Sequence, residues 1–105
     1  MLKVKVAPSI LAGDFARMGE TVRKLEQCGA DYIHCDVMDG NFVPTITFGN
    51  QMIEHIRPYT SLPLDCHLMV MRPDTRHEGF ARAGANIVTV HVEECRSLTV
   101  QTLRI

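Results

Sequence analysis

Four short apolar runs, each followed by a segment of helical spacing, constrain this chain more than any other feature. Lys3 to Leu11, Tyr32 to Met38, Leu64 to Met71 and Ile87 to Val92 are rich in Val, Ile and Leu and read as strands. Asp14 is placed to cap a helix, because its carboxylate can accept from the free amides of a first turn. Phe15, Met18, Val22 and Leu25 then fall on one helical face, and Gly29 follows as the expected C-terminal glycine. A second helix runs from about Asn50 to Arg57, before Pro58. Pro73-Asp74 opens a third that reaches Ala83, and Ser97 begins a fourth. The Gly, Pro and Asn residues between Asp39 and Gly49 mark a loop. Strands alternating with helices imply a parallel sheet with right-handed crossovers, an α/β architecture.

Two segments repeat a pattern. Gly29-Ala30-Asp31 and Gly84-Ala85-Asn86 each stand between a helix and an apolar strand, two strand–helix units apart. Four units suit either a doubly wound sheet or half of an eight-stranded barrel. No G-x-G-x-x-G follows the first strand, which removes the best support for a dinucleotide site. The pattern itself does not choose between the two folds.

The 105 residues suffice for one domain, and a hydrophobic fraction of 46% is that of a globular chain. A net charge of −1 with mixed signs argues against a nucleic-acid surface. No apolar run approaches the roughly 20 residues that span a bilayer. Lys3 and Lys5 interrupt the first run, so it reads as a strand rather than an export signal, and the expected compartment is cytoplasmic. Cys28, Cys35, Cys66 and Cys95 form no C-x-x-C pair and are expected as reduced thiols in a core.

The chemistry lies on the second and third predicted strands. Alternation puts Tyr32, His34, Asp36 and Met38 on one face, and Ile33, Cys35 and Val37 on the apolar other. In the third strand Leu64, Cys66, Leu68 and Val70 are apolar, whereas Asp65, His67, Met69 and Met71 oppose them. With both apolar faces turned to the helices, His34, Asp36 and His67 project together near the strands' C-terminal ends. Two imidazoles and a carboxylate suit a divalent metal with open positions. Spacing alone leaves open that they are separate hydrogen-bonded polar groups. Ser9 either meets a substrate oxygen or caps the turn after it. Lys5 and Asp65 are expected to point inward near the other end, where an ion pair between them would be structural. Met38, Met69 and Met71 are either adaptable filler or an apolar floor that excludes water. The repeat alignment turns Thr89, His91 and Glu93 inward, with His91 expected to back a ligand or pack beside the site rather than bind metal. His55 and His77 are expected in solvent.

At this point the residues resemble a known family. Ala7-Pro8-Ser9-Ile10-Leu11 with Asp14-Phe15, and His34-Cys35-Asp36-Val37-Met38-Asp39-Gly40 running on through Phe42-Val43-Pro44 and Phe48-Gly49, are similar to ribulose-phosphate 3-epimerases. So are His67-Leu68-Met69-Val70 and, more weakly, His91-Val92-Glu93. The resemblance implies a TIM (β/α)8 barrel that interconverts D-ribulose 5-phosphate and D-xylulose 5-phosphate, so residues 1–105 would be one partial domain, a parallel (β/α)4 half. It implies His34, Asp36 and His67 as ligands of one divalent metal (Zn, Fe, Mn or Co) and Asp36 also as acid/base. Ser9, His67, Met38 and Met69 would meet substrate, and the loop from Gly40 to Phe48 would fold over it. The implied partner is a pentulose phosphate; charge and hydropathy lead to no nucleic acid and no membrane as partners, and a homo-oligomer is expected from exposed edges. Removal of the C3 proton beside a C2 carbonyl gives an enediolate, whose charge a metal stabilises.

The family's second acid and its late phosphate-holding loops have no counterpart in these residues. Unpaired outer strand edges, exposed inward faces, either marginal stability or self-association, weak metal affinity and low or absent turnover are therefore expected. Allulose-6-phosphate 3-epimerase shares the motifs. A non-catalytic half-barrel assembly module is the reading from a different class.

Overall fold

The apolar alternation of the central strands becomes the core of a three-stranded parallel sheet. In the computed structural model, which describes residues 2–95, β1 (Ile33–Met38), β2 (Leu64–Met69) and β3 (Ile87–Val90) lie in the order β1-β2-β3. Ile33 pairs with Leu64 and Cys35 with Cys66, so every apolar residue of β1 meets an apolar residue of β2. Ile33, Cys35, Val37, Leu64, Cys66 and Leu68 are buried on the face turned to the helices. Helix α1 (Met18–Gln27) supplies Met18 and Val22 to that core, α2 (Asn50–Ile56) supplies Ile53 and Ile56, and α3 (His77–Ala83) supplies Phe80. Each fully buried aliphatic side chain contributes about 1.5–3 kcal/mol relative to exposure.

The predicted N-terminal strand is not a strand. Its extended residues run beside β1, where the Val6 carbonyl accepts from Asp31 and Tyr32 and the Pro8 carbonyl accepts from His34. Only an isolated Ser9–His34 bridge forms, and Val4 and Val6 stay exposed. Pro8 has no N–H to donate, which interrupts a ladder on that side.

Asp14 caps as expected, accepting from the Ala16 amide at 2.9 Å, but the turn it starts is 3-10 (Phe15–Arg17) before α1 begins. A 3-10 turn over Arg57–Tyr59 carries the second helix past Pro58, and another over Pro73–Thr75 precedes α3. The helix expected from Ser97 lies outside the described residues.

The Gly-Ala repeat is a physical one. Gly29 (φ +97) and Gly84 (φ +118) both sit in the left-handed region after a helix. The Gly29 and Ala30 amides return to the Glu26 and Leu25 carbonyls, as those of Gly84 and Ala85 return to Ala81 and Phe80. This pair of bonds satisfies carbonyls that a helix end leaves free. The next residue then staples the preceding chain. Asp31 takes the Val6 amide at 2.8 Å on its carboxylate while its own amide donates to the Val6 carbonyl. Asn86 does the same to Leu64, at 2.9 Å for each bond.

Two further side chains tie the loops. Arg57 donates to the carbonyls of Gly84, Thr60 and Leu62 and to Asn86 Oδ1. Asp39 accepts the amides of Asn41, Phe42 and Met71, joining the end of β1 to the end of β2. Burial alone would raise its carboxyl, but these backbone bonds outweigh that and hold it low.

Candidate metal centre

The β1–β2 register that buries the apolar face also assembles the polar one. His34 stands opposite Asp65 and Asp36 opposite His67, all half-buried, with Met38 opposite Met69 at the strands' C-terminal ends. His34 Nε2 lies 3.1 Å and His67 Nδ1 3.2 Å from the same oxygen, Asp36 Oδ1. Asp36 Oδ2 accepts from the Ser9 hydroxyl at 2.5 Å, and Ser9 Oγ also accepts the Leu11 amide at 3.3 Å. Ser9 thus caps its turn and holds the carboxylate as well.

The outer nitrogens determine what the inner ones present. His34 Nδ1 is 2.9 Å from Asp65 Oδ2, and a carboxylate only accepts, so Nδ1 carries the proton. A neutral ring then turns a bare Nε2 toward Asp36. His67 Nε2 is 2.7 Å from His91 Nε2, one proton between them. When His67 supplies it, His67 Nδ1 is also bare. Three lone-pair atoms then converge, lying within 4.8 Å of one another. Only positive charge among them, a ring proton or a cation, makes that arrangement favourable. The donor set of two imidazoles and one carboxylate therefore fits a divalent metal ion.

The protonation balance agrees with this crowding. Burial pulls the His34 imidazole down, but the bond to Asp65 and the charge of Asp36 outweigh it, and the net shift is upward. Burial would raise the Asp36 carboxyl, yet the Ser9 hydroxyl and the two imidazoles outweigh it and hold it below the ordinary value of 3.8.

The remaining expectations divide. Met38 is half-buried and Met69 only 9% exposed beside the donors, whereas Met71 lies past β2 and is exposed. His91 backs His67, the two rings stacked with centroids 4.9 Å apart, and lies against Phe42 of the β1–α2 loop in a tilted arrangement at 4.8 Å, with Glu93 3.4 Å from its Nδ1. Thr89 follows His67 across the sheet but is exposed. The Lys5–Asp65 pair does not form: Lys5 lies over the Tyr32 ring, and Asp65 bonds His34. His55 is exposed as expected, but His77 is buried, with both ring nitrogens unpartnered among the described residues, because it begins α3 on the face that packs into the core. Cys35 and Cys66 are buried and Cys95 half-buried, all as free thiols, and the Cys66 thiol and burial push the Cys35 thiol up. Cys28 is exposed instead, because it ends α1 on the solvent side. A groove of about 1000 Å³ between α1 and α2, lined by Phe15, Phe48, Met52 and Tyr59, holds none of the donor residues, so donor chemistry rather than size locates the site. Sequence reasoning missed Asp65 as the partner of His34. Aligning Ile33-Cys35-Val37 with Leu64-Cys66-Leu68 carries that signal, since it sets Asp65 beside His34.

A parallel α/β sheet with this donor set on its polar face defines a candidate metal-binding α/β protein. The family model described as "Ribulose-phosphate 3 epimerase family" matches residues 5–105, and the chain belongs to that family. It is 52% identical over 103 residues to the ribulose-phosphate 3-epimerase of Bacillus subtilis, covering 96% of this chain and 48% of the relative. It is 53% identical to the Synechocystis ribulose-phosphate 3-epimerase, covering 86% and 39%. The chloroplastic ribulose-5-phosphate-3-epimerase of Arabidopsis thaliana is also 53% identical, with 85% and 32% covered. The chain therefore spans at most about half the length of these relatives. Among solved structures, the carboxyl transferase domain of Rhizobium etli pyruvate carboxylase resembles it with a TM-score of 0.54 at 17% identity, over 88% of this chain and 16% of that one, a likeness of fold. Among the described residues no helix is long and apolar enough to cross a membrane.

Proposed function

We propose that the chain is one domain, the (β/α)4 N-terminal half of a TIM barrel, and carries the metal-holding side of an epimerase acting on D-ribulose 5-phosphate and D-xylulose 5-phosphate. The observation that carries this reading is the convergence of His34 Nε2, Asp36 Oδ1 and His67 Nδ1 in a member of this family. These residues would hold one divalent cation, zinc, iron, manganese or cobalt, which supplies Lewis-acid stabilisation as charge develops on the substrate oxygens. Asp36 is held ionised and is the base that takes the C3 proton on one face. Ser9 keeps Asp36 Oδ2 in place, and its hydroxyl also binds substrate. His67 contacts substrate, while Met38 and Met69 form an apolar wall that excludes water. Reprotonation on the opposite face calls for a second acid, so the residues described here serve one side of a two-sided transfer. The exposed Ile87 of β3 and Val92 just after it favour self-association, and four free cysteines suit a cytoplasmic setting.

In deuterium oxide with manganese(II) and ribulose 5-phosphate, the chain is expected to exchange the C3 hydrogen, read by NMR, faster than xylulose 5-phosphate appears. Asp36→Asn should abolish the exchange. Wild-type exchange no greater than that variant's background would overturn the proposal. Allulose 6-phosphate run in parallel separates pentulose from hexulose specificity, and sedimentation of the same sample measures association.

A further inference from the structure

Asp65 is a carboxylate on the central strand that the reaction above does not use. Strand β2 is hydrogen-bonded on both sides, to β1 and to β3, so its side chains stand on the best-fixed backbone of the sheet. Register sets Asp65 beside His34 on one side and the apolar Ile87 on the other. Among the described residues, its side-chain bond is the one to His34 Nδ1, at 2.9 Å. A water molecule could also accept from Nδ1, but it would not fix the ring's plane. A carboxylate held by a two-sided ladder does.

We propose that Asp65 is a positioning residue for metal: it locks His34 in the Nδ1–H tautomer, aims Nε2 at the donor set, and makes that nitrogen a stronger electron-pair donor. This rests on the metal reading above. The two imidazoles are then unequal. His34 is backed by a carboxylate, whereas His67 is backed by the imidazole of His91, and the structure assigns the stronger ligand to His34.

The test uses the full chain and its Asp65→Ala and Asp65→Asn variants. Nitrogen-15 shifts of the His34 ring, recorded without metal at a pH where it is neutral, report the tautomer, and cobalt(II) titration reports affinity. Wild type should show Nδ1–H. Asp65→Ala should let the proton redistribute to Nε2 and weaken cobalt binding about 10- to 100-fold, with far-ultraviolet circular dichroism unchanged. Asp65→Asn, whose amide oxygen still accepts, should keep the tautomer and weaken cobalt about threefold to tenfold, an effect of lost charge alone. An unchanged tautomer together with unchanged cobalt affinity in Asp65→Ala overturns the proposal. If that variant does not fold, equal cobalt affinity in wild type and Asp65→Asn overturns it. Wild type that binds no cobalt defeats the metal reading instead, and the His34 tautomer in the variants then decides the role of Asp65 by itself.

Discussion

Gly84→Ala should destabilise the chain more than Gly29→Ala, although both glycines close the same motif. Each has a positive φ, +118 at Gly84 and +97 at Gly29, and an alanine there costs about 1–2 kcal/mol of backbone strain. Around Gly29 a new methyl group meets nothing within 4 Å. At Gly84 it would lie 2.5 Å from Arg57 Cδ and 2.9 Å from Cγ, closer than carbon atoms approach. That stem is not free to swing away. Its guanidinium donates to Gly84 O at 3.0 Å, Asn86 Oδ1 at 2.8 Å, Thr60 O at 2.8 Å and Leu62 O at 2.6 Å. Hydrogen bonds from a charged group contribute about 1.5–3 kcal/mol each when fully formed. Loss of two, partly replaced by water at this half-exposed site, adds about 1–2 kcal/mol. The expected cost is thus about 2–4 kcal/mol for Gly84→Ala against about 1–2 kcal/mol for Gly29→Ala. Urea unfolding followed by circular dichroism measures both, and the excess should vanish in an Arg57→Ala background. Equal costs at the two glycines, or an excess that survives Arg57→Ala, would refute the reasoning.

Leu68 is fully buried on the central strand, and Leu68→Ala should cost about 2–5 kcal/mol in the same assay. Toward acid, two lowered carboxyls act together. The Thr60 hydroxyl and the Ser61 amide hold Glu26 below its ordinary 4.5, and backbone amides hold Asp39 below 3.8 against the opposing effect of burial. Their stabilisation is full above those ordinary values and is lost as pH falls through the depressed ones, so Glu26→Gln and Asp39→Asn should each flatten the acid limb of unfolding midpoint against pH. His34 works in the opposite sense. Its raised value stabilises the metal-free chain fully below the ordinary 6.5 and less as pH climbs through the folded value, a slope that His34→Asn should remove.

Much of the fold is legible in the chain because its strands alternate cleanly. Ile33, Cys35 and Val37 against Leu64, Cys66 and Leu68 define two faces whatever the neighbours do, so the side on which His34, Asp36 and His67 meet follows from periodicity. The N-terminal run was less readable. Its Val and Ile content suits a strand, but composition does not register that Pro8 breaks the donor series. His77 was misplaced because burial of one helical residue depends on how α3 sits on the sheet, which the helix's own sequence does not encode. The Lys5–Asp65 pairing failed for a related reason. Opposite charges on one face indicate a pair only when the register is known, and the register sets His34, not Lys5, beside Asp65.

The Asp31 and Asn86 staples also bear on how fast the sheet can assemble. Parallel sheets are usually slow to fold because partner strands are distant along the chain and a long loop must close first. Here the bonds that seat β1 against the N-terminal run and β3 against β2 span only 25 residues from Val6 to Asp31 and 22 from Leu64 to Asn86. Each of these two closures encloses about one strand–helix unit and fixes its alignment. At these two junctions the search is then confined to a single unit, which shortens the loop that a parallel pairing has to close.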